Sequence, residues 1–292
     1  LNKQSWGASY DQQLIYSLFV DCIEASSLLD IDEDFRKELK ETIPKLSPQK
    51  VGKDGQLQEW PEDFDGYDKS HRHVSHLIAL HPGRDISPFA NDVLAKAAKT
   101  TLTTRSLRPQ GGWASAWRIS LWARMLDGNK AHKYYSTLSN SRTSPNLFNG
   151  GTRHFQVDGN FGGAAGVSEM LLQSHLRSIN NKAKSIKEAV FNAYIQDEDS
   201  PNKLNYVVPD EKLMDAPYII HLLPALPDAW PEGSVKGLRA RGGFEVDIAW
   251  KSGELEQATI RGIKGGDFRI YSNGKLSKVI SLKKGDSIVW KD

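Results

Sequence analysis

A single cysteine, Cys22, occurs in 292 residues, which excludes an internal disulfide and a cysteine-based zinc site. That scarcity fits a reducing cytoplasm, but many bacterial secreted enzymes also lack disulfides, so the compartment stays open. No apolar run approaches the ~20 residues needed to span a bilayer. An excess of one charge sign is missing too. With 38 Lys and Arg against 36 Asp and Glu, interspersed along the chain, no bulk field draws the protein to nucleic acid or to an acidic membrane. The opening residues, Leu1-Asn2-Lys3-Gln4-Ser5-Trp6, lack both an initiator methionine and the basic-then-apolar pattern of a signal peptide, and a processed, truncated or subcloned start is expected. The remaining composition is that of a globular chain of one or two domains, long enough to bury a sizeable core.

The first two thirds read as helices. Between Asp11 and Leu29 the apolar residues Leu14, Leu18 and Cys22, with Ile15, Phe19 and Ile23, repeat at the i, i+4 spacing of an amphipathic helix. Asp32 is an expected N-cap for a second helix through Phe35 and Leu39, ended by Pro44. Ser87-Pro88 predicts a cap followed by proline at the first helical position, opening a helix through Leu94, Ala98 and Leu102. Further helices are expected from Trp113 to Leu126, from Asn129 to Ser139 and from Gly163 to Leu176, with another over Lys184 to Ile195. Paired helices joined by short turns suggest part of an α-helical barrel or toroid.

From His221 the pattern changes. Phe244, Val246, Ile248 and Trp250 alternate with Glu245, Asp247 and Ala249, the period of a half-buried strand. Short strands are expected at Ala258–Ile260, Phe268–Tyr271 and Ser287–Trp290, and Asn273-Gly274 signals a two-residue hairpin. The predicted fold class is mainly α with a C-terminal all-β domain, divided as 1–217 and 218–292.

Four segments concentrate residues suited to chemistry: Gln56-Leu57-Gln58-Glu59-Trp60, His71-Arg72-His73-Val74-Ser75-His76, Gly111-Gly112-Trp113, and Phe155-Gln156-Val157-Asp158-Gly159-Asn160-Phe161-Gly162. Carboxylates among Trp, Gln, Asn and Arg suit an uncharged polyhydroxylated ligand, because indole faces stack on sugar rings while amides and guanidinium bind hydroxyls. That points to carbohydrate. Each segment also has a plainer reading. On pattern alone, Glu59 beside Trp60 is more often a surface carboxylate, and Asp158-Gly159-Asn160 more often a turn and helix cap. Trp113 and Trp117 lie one helical turn apart, as a core stripe would. His71, His73 and His76 have a spacing that can supply three imidazoles to a metal, but His71 and His73 diverge on a helix. Cys22 reads as a core residue.

Taken in order, these segments, with Leu121-Trp122-Ala123-Arg124, Asn146-Leu147-Phe148, His221-Leu222-Leu223-Pro224-Ala225-Leu226-Pro227 and Arg241-Gly242-Gly243-Phe244, resemble glycoside hydrolase family 95, the inverting 1,2-α-L-fucosidases and related α-L-galactosidases. The resemblance covers nearly the whole chain. It implies part of an (α/α)6 barrel followed by a small antiparallel β-sandwich, with no metal and no organic cofactor. By motif, Glu59 corresponds to the general acid and Asp158 to the second carboxylate, which helps activate water. Arg72, His73, Trp113, His154, Gln156 and Asn160 fall on positions expected to contact substrate. Thr152-Arg153-His154 stands where the family has His-Pro-Pro, so the sugar accepted is open. The asparagines that orient water in the family belong to an upstream helix, so a missing N-terminal portion of the same enzyme is an expected partner. The substrate implied is a fucosylated or related glycan, and the expected setting of the parent protein is periplasmic or extracellular in a bacterium. The alternative is a truncated, catalytically incompetent fragment, a glycan-binding or structural remnant.

Overall fold

The computed structural model describes residues 7–64, 70–105, 111–150 and 155–291. In chain order its helices are α1 (Ser9–Leu29), α2 (Glu33–Thr42), α3 (Asp92–Thr104), α4 (Gly112–Arg124), α5 (Gly128–Arg142), α6 (Val157–Leu171) and the short α7 (Ile186–Ala189). Its strands are β1 (Gln49–Lys50), β2 (Leu172–Gln173), β3 (Tyr194–Gln196), β4 (Lys203–Tyr206), β5 (Tyr218–Leu222), β6 (Gly233–Ala240), β7 (Phe244–Lys251), β8 (Glu254–Gly262), β9 (Gly266–Ser272), β10 (Lys275–Leu276), β11 (Ile280–Leu282) and β12 (Ser287–Trp290). Two compact units share these elements, Leu1–Leu107 with Phe191–Asp215, and Arg108–Val190 with Ala216–Asp292.

In the first unit α1 packs on α2, and β1, β4 and β3 form a three-stranded antiparallel sheet. Helix α1 occupies the expected span but buries a different face. Tyr16, Val20 and Ile23 are inside, together with Gln13, whereas Leu14 and Leu18 are 40% and 60% exposed and Cys22 is only partly covered. The side chains that win the interior carry hydrogen bonds: the Tyr16 hydroxyl donates to Val207 O, and Gln13 donates to Gln49 Oε1. A count of apolar residues does not see such partners. Asp32 does precede α2, but in a left-handed conformation (φ 52°) with no side-chain cap. Helix α3 starts later than Ser87-Pro88 suggests. Asn91 caps it by accepting from the Leu94 N–H, and Ser87 instead closes a turn onto Phe89 and Ala90.

In the second unit α4 packs against α5 and α6. Helix α6 starts earlier and ends sooner than the 163–176 expected from apolar content. It is built around glycine: a Cβ at Gly162 would press on Ala116 and Trp113, at Gly163 on Leu138, and at Gly166 on Ile119. Each glycine inside a helix costs about 1 kcal/mol relative to alanine; here the close approach to α4 and α5 requires it. After α6 the chain turns directly into β2, which pairs with β5. The segment Lys184–Ile195, expected as one helix, holds only α7 before entering β3.

The β region has a five-stranded sheet, ordered β10-β9-β5-β2 with β11 also on β9, and a four-stranded sheet, β12-β8-β7-β6. Phe244, Val246, Ile248 and Trp250 point inward as their alternation predicts, meeting Ile220, Leu222, Phe268 and Ile270. Asn273 and Gly274 both take positive φ (45° and 73°) between the paired Ser272 and Lys275, the requirement of a tight hairpin turn. The sandwich is not wholly antiparallel: β5 and β9 run parallel, and β2 comes from before residue 217.

Candidate functional site

Glu59 is fixed from three directions within the first unit. Two residues before it, the Leu57 N–H donates to Ala97 O and to Thr101 Oγ1 on α3 (3.2 and 3.0 Å). Its own carbonyl accepts from the N–H and hydroxyl of Ser9, the first residue of α1 (3.0 and 3.2 Å). Its side chain, 15% exposed, accepts on Oε2 from Arg105 Nη1 at 2.6 Å, and Oε1 lies 3.8 Å from Nδ1 of the fully buried His76. The His76 turn is held in its turn by Gln13, whose Nε2 donates to His76 O and whose Oε1 accepts from the Ala79 N–H. Gln13 also donates to Gln49, which donates to the Tyr206 hydroxyl. A buried hydrogen-bonded chain thus runs from the sheet through Gln49 and Gln13 to the backbone of the His76 turn beside Glu59.

Arg105 carries no signal in the sequence, because a cation just past the end of a helix ordinarily complements the helix dipole. Trp60, next to Glu59 in the sequence, is 37% exposed; the groups against the carboxylate are Arg105 and His76. Arg72 is exposed and His73 half-buried, with the His71 ring edge-on to His73 at 5.3 Å.

In the second unit the starts of α4 and α6 are locked together. Gln156 Oε1 accepts from the Gly112 N–H (2.9 Å) and, more distantly, from that of Trp113 (3.4 Å), so Gln156 caps α4 with its side chain while its backbone opens α6. Asn149, 1% exposed, is wedged between the two helix starts: a Cβ at either Gly112 or Gly159 would overlap its side-chain amide. Its Nδ2 donates to Arg142 O, and its carbonyl accepts from the Gln156 N–H. Asn160 accepts on Oδ1 from the Asn149 N–H and donates from Nδ2 to Leu147 O, so its amide clamps the 147–149 loop. Asp158 is exposed in the first turn of α6, where the helix dipole favours a negative charge. Trp113 stacks on Trp117 (5.6 Å, 14° between planes); Trp117 is core, while Trp113 is 37% exposed. The substrate-contact candidate His154, with Thr152 and Arg153, lies outside the described residues. Asn149 is absent from the sequence-derived candidates, although a signal exists: an asparagine beside glycines at two helix starts implies close backbone approach.

Residues 2–171 match the glycosyl hydrolase family 95 catalytic domain, and residues 217–290 match the glycoside hydrolase family 95 C-terminal domain. Alpha-L-fucosidase 2 of Arabidopsis thaliana is 33% identical over 263 residues, covering 86% of this chain and 26% of the plant protein. Probable alpha-fucosidase A of Aspergillus oryzae is 30% identical over 279 residues, covering 89% and 34% respectively. The corresponding protein of Aspergillus niger, also named probable alpha-fucosidase A, is 30% identical over 259 residues, covering 86% and 29%. The chain therefore spans 26–34% of the length of these curated relatives. With both domains of one family matched in order across most of its length, the chain belongs to glycosyl hydrolase family 95.

Proposed function

We propose that this chain supplies the general acid, part of the water-activating group and the β domain of an exo-acting, inverting glycoside hydrolase that removes terminal α-L-fucosyl or α-L-galactosyl residues from glycans. The observation that carries the reading is the presence, inside the segment matching the family's catalytic domain, of both a clamped carboxylate (Glu59) and an exposed one on a rigid helix start (Asp158). In the proposed step Glu59 gives its proton to the glycosidic oxygen as the bond from that oxygen to the anomeric carbon breaks. Water adds to the anomeric carbon from the other side, and Asp158 takes part in accepting its proton, so charge and atoms balance and the configuration inverts. Arg72, His73, Trp113, His154, Gln156 and Asn160 form the sugar-contacting set, with the Trp113 face as a stacking surface.

The division at 217/218, the partial (α/α)6 barrel, and an N-terminal portion of the same enzyme as partner belong to this proposal. The names of the plant and fungal relatives favour an α-L-fucoside as substrate. The test is release of L-fucose from 2′-fucosyllactose, by the chain alone and with the N-terminal portion added. Glu59→Gln and Asp158→Asn should each lower kcat by at least about 10²-fold. Unchanged rates in both variants would overturn the assignment.

A further inference from the structure

We propose that Arg105 is the positioning residue of the acid: it occupies Glu59 Oε2 and reserves Oε1 for delivering the proton to the leaving oxygen. This rests on the assignment of Glu59 as general acid. A carboxylic acid carries its proton on either oxygen and turns easily about its last torsion, which is broad and two-fold. An acid left free in this way spends much of its time misaligned, and misplacement by about 1 Å costs about 10²-fold in rate. Arg105 removes that freedom. Its Nη1 lies 2.6 Å from Oε2, the length of a charge-assisted hydrogen bond. A guanidinium only donates and keeps its protons, so the oxygen it holds is an acceptor and the acid's proton sits on Oε1, the oxygen 3.8 Å from His76 Nδ1.

Arg105 is itself held. It is 3% exposed, and its N–H returns to Thr101 O. Thr101 in turn takes the Leu57 N–H on its hydroxyl. The last turn of α3 therefore grips the Glu59 segment twice, through the backbone two residues upstream and through the carboxylate. Stability alone does not account for such a pair. Burying two charges costs several kcal/mol per ion before the attraction is counted, and apolar replacements of similar size are often as stable. The exposed pair Arg84–Asp21, at 32% and 62% side-chain exposure, shows what an incidental ion pair in this unit looks like.

The experiment compares two leaving groups. Lactose leaves 2′-fucosyllactose as a poor leaving group that needs a proton; nitrophenolate leaves a nitrophenyl α-L-fucoside without one. Wild type, Glu59→Gln, Arg105→Met, Arg105→Lys and the Glu59→Gln/Arg105→Met double variant are assayed on both, with the N-terminal portion present. Arg105→Met should lower kcat on 2′-fucosyllactose by about 10²-fold with KM within about threefold, and leave the nitrophenyl rate within about threefold. Arg105→Lys, which keeps the charge without the planar fork, should fall between, and the double variant should be no slower than Glu59→Gln.

Equal slowing of both substrates by Arg105→Met would reduce Arg105 to a structural residue and overturn the inference. Should that variant not fold, Arg105→Lys is read in the same way. Equal slowing of both by Glu59→Gln, or no wild-type activity on either substrate, would instead remove the acid assignment itself, and the inference with it.

Discussion

Replacing Gly159 by alanine tests how closely Asn149 is wedged at the start of α6. Helix propensity predicts a gain, since alanine is about 1 kcal/mol better than glycine inside a helix, and Gly159 has no positive φ to forbid it. Packing predicts the reverse. The new Cβ would overlap Cγ and Oδ1 of Asn149 and lie 2.9 Å from its Nδ2. Asn149 is 1% exposed and cannot swing out without giving up its hydrogen bond to Arg142 O. Overpacking costs about 1–3 kcal/mol, and stranding a buried amide and carbonyl about 1–3 kcal/mol more. Set against the propensity gain, the net is a loss of about 1–5 kcal/mol. Urea unfolding measures it, and hydrogen exchange of α4 and α6 amides assigns it to this unit. The double variant Asn149→Ala/Gly159→Ala should be less destabilised than the two single losses summed, by about 1–2 kcal/mol, because the second change removes what the first collides with. A stabilised Gly159→Ala, or strict additivity, would refute the wedge and with it the account of how Asp158 is placed.

Two ionisable groups give pH tests of opposite sign. Burial pushes the His221 imidazole from its ordinary 6.5 down to about 3, so the unfolded chain takes up a proton that the folded one refuses. Its contribution is intact above pH 6.5 and is lost as pH falls toward 3, reaching about 1.4 kcal/mol by pH 5.5; His221→Gln should flatten that part of the urea-midpoint profile, and an unchanged slope would rule it out. In the other unit burial raises the Asp85 carboxyl from its ordinary 3.8 to about 6, against the lowering effects of Arg84 and of the Ser17 hydrogen bond. There the folded state holds the proton longer, so stability present below pH 3.8 is lost as pH rises through 6. Asp85→Asn should exceed wild type by about 2–3 kcal/mol at pH 7.5 and match it near pH 4; a variant less stable at both values would show that the charged form is the one the fold needs.

Elements that follow a local rule are legible in the sequence. The inward alternation of Phe244 to Trp250 and the Asn273-Gly274 hairpin depend on period and on turn chemistry, both carried by neighbouring residues. Elements set by distant partners are not. Strand β5, Tyr-Ile-Ile-His-Leu, shows no alternation because it lies between β9 and β2, and a central strand has no solvated face to mark it. Strand β6 hides behind a register shift between Val235 and Leu238, where Gly237 at φ 75° donates its N–H to Asp247. Helix α1 stands where its period places it but is turned, because Gln13 and Tyr16 are buried by hydrogen bonds to residues up to 191 positions away.

The same distinction runs through the candidate site. Glu59 and Asp158 stand out in the sequence because each sits in a motif, yet neither is placed by its motif alone. Glu59 owes its position to Ser9, Thr101 and Arg105, which lie 50, 42 and 46 positions away. The start of α6 owes its position to Asn149 and to the hold of Gln156 on Gly112. Arg105 has no signature of its own, since a lone arginine after a helix is an ordinary surface choice, and Asn149 has only the indirect one of glycines at the helix starts it meets. Burial is what sets them apart: 3% and 1% exposed, each costs free energy to enclose unless its partners are fixed. A buried polar side chain whose partner lies in or beside a motif is therefore the feature that motif matching cannot supply. It is also the feature on which rate and stability should depend, so substitutions at Arg105 and at the Asn149 wedge are as diagnostic as substitutions of the two carboxylates.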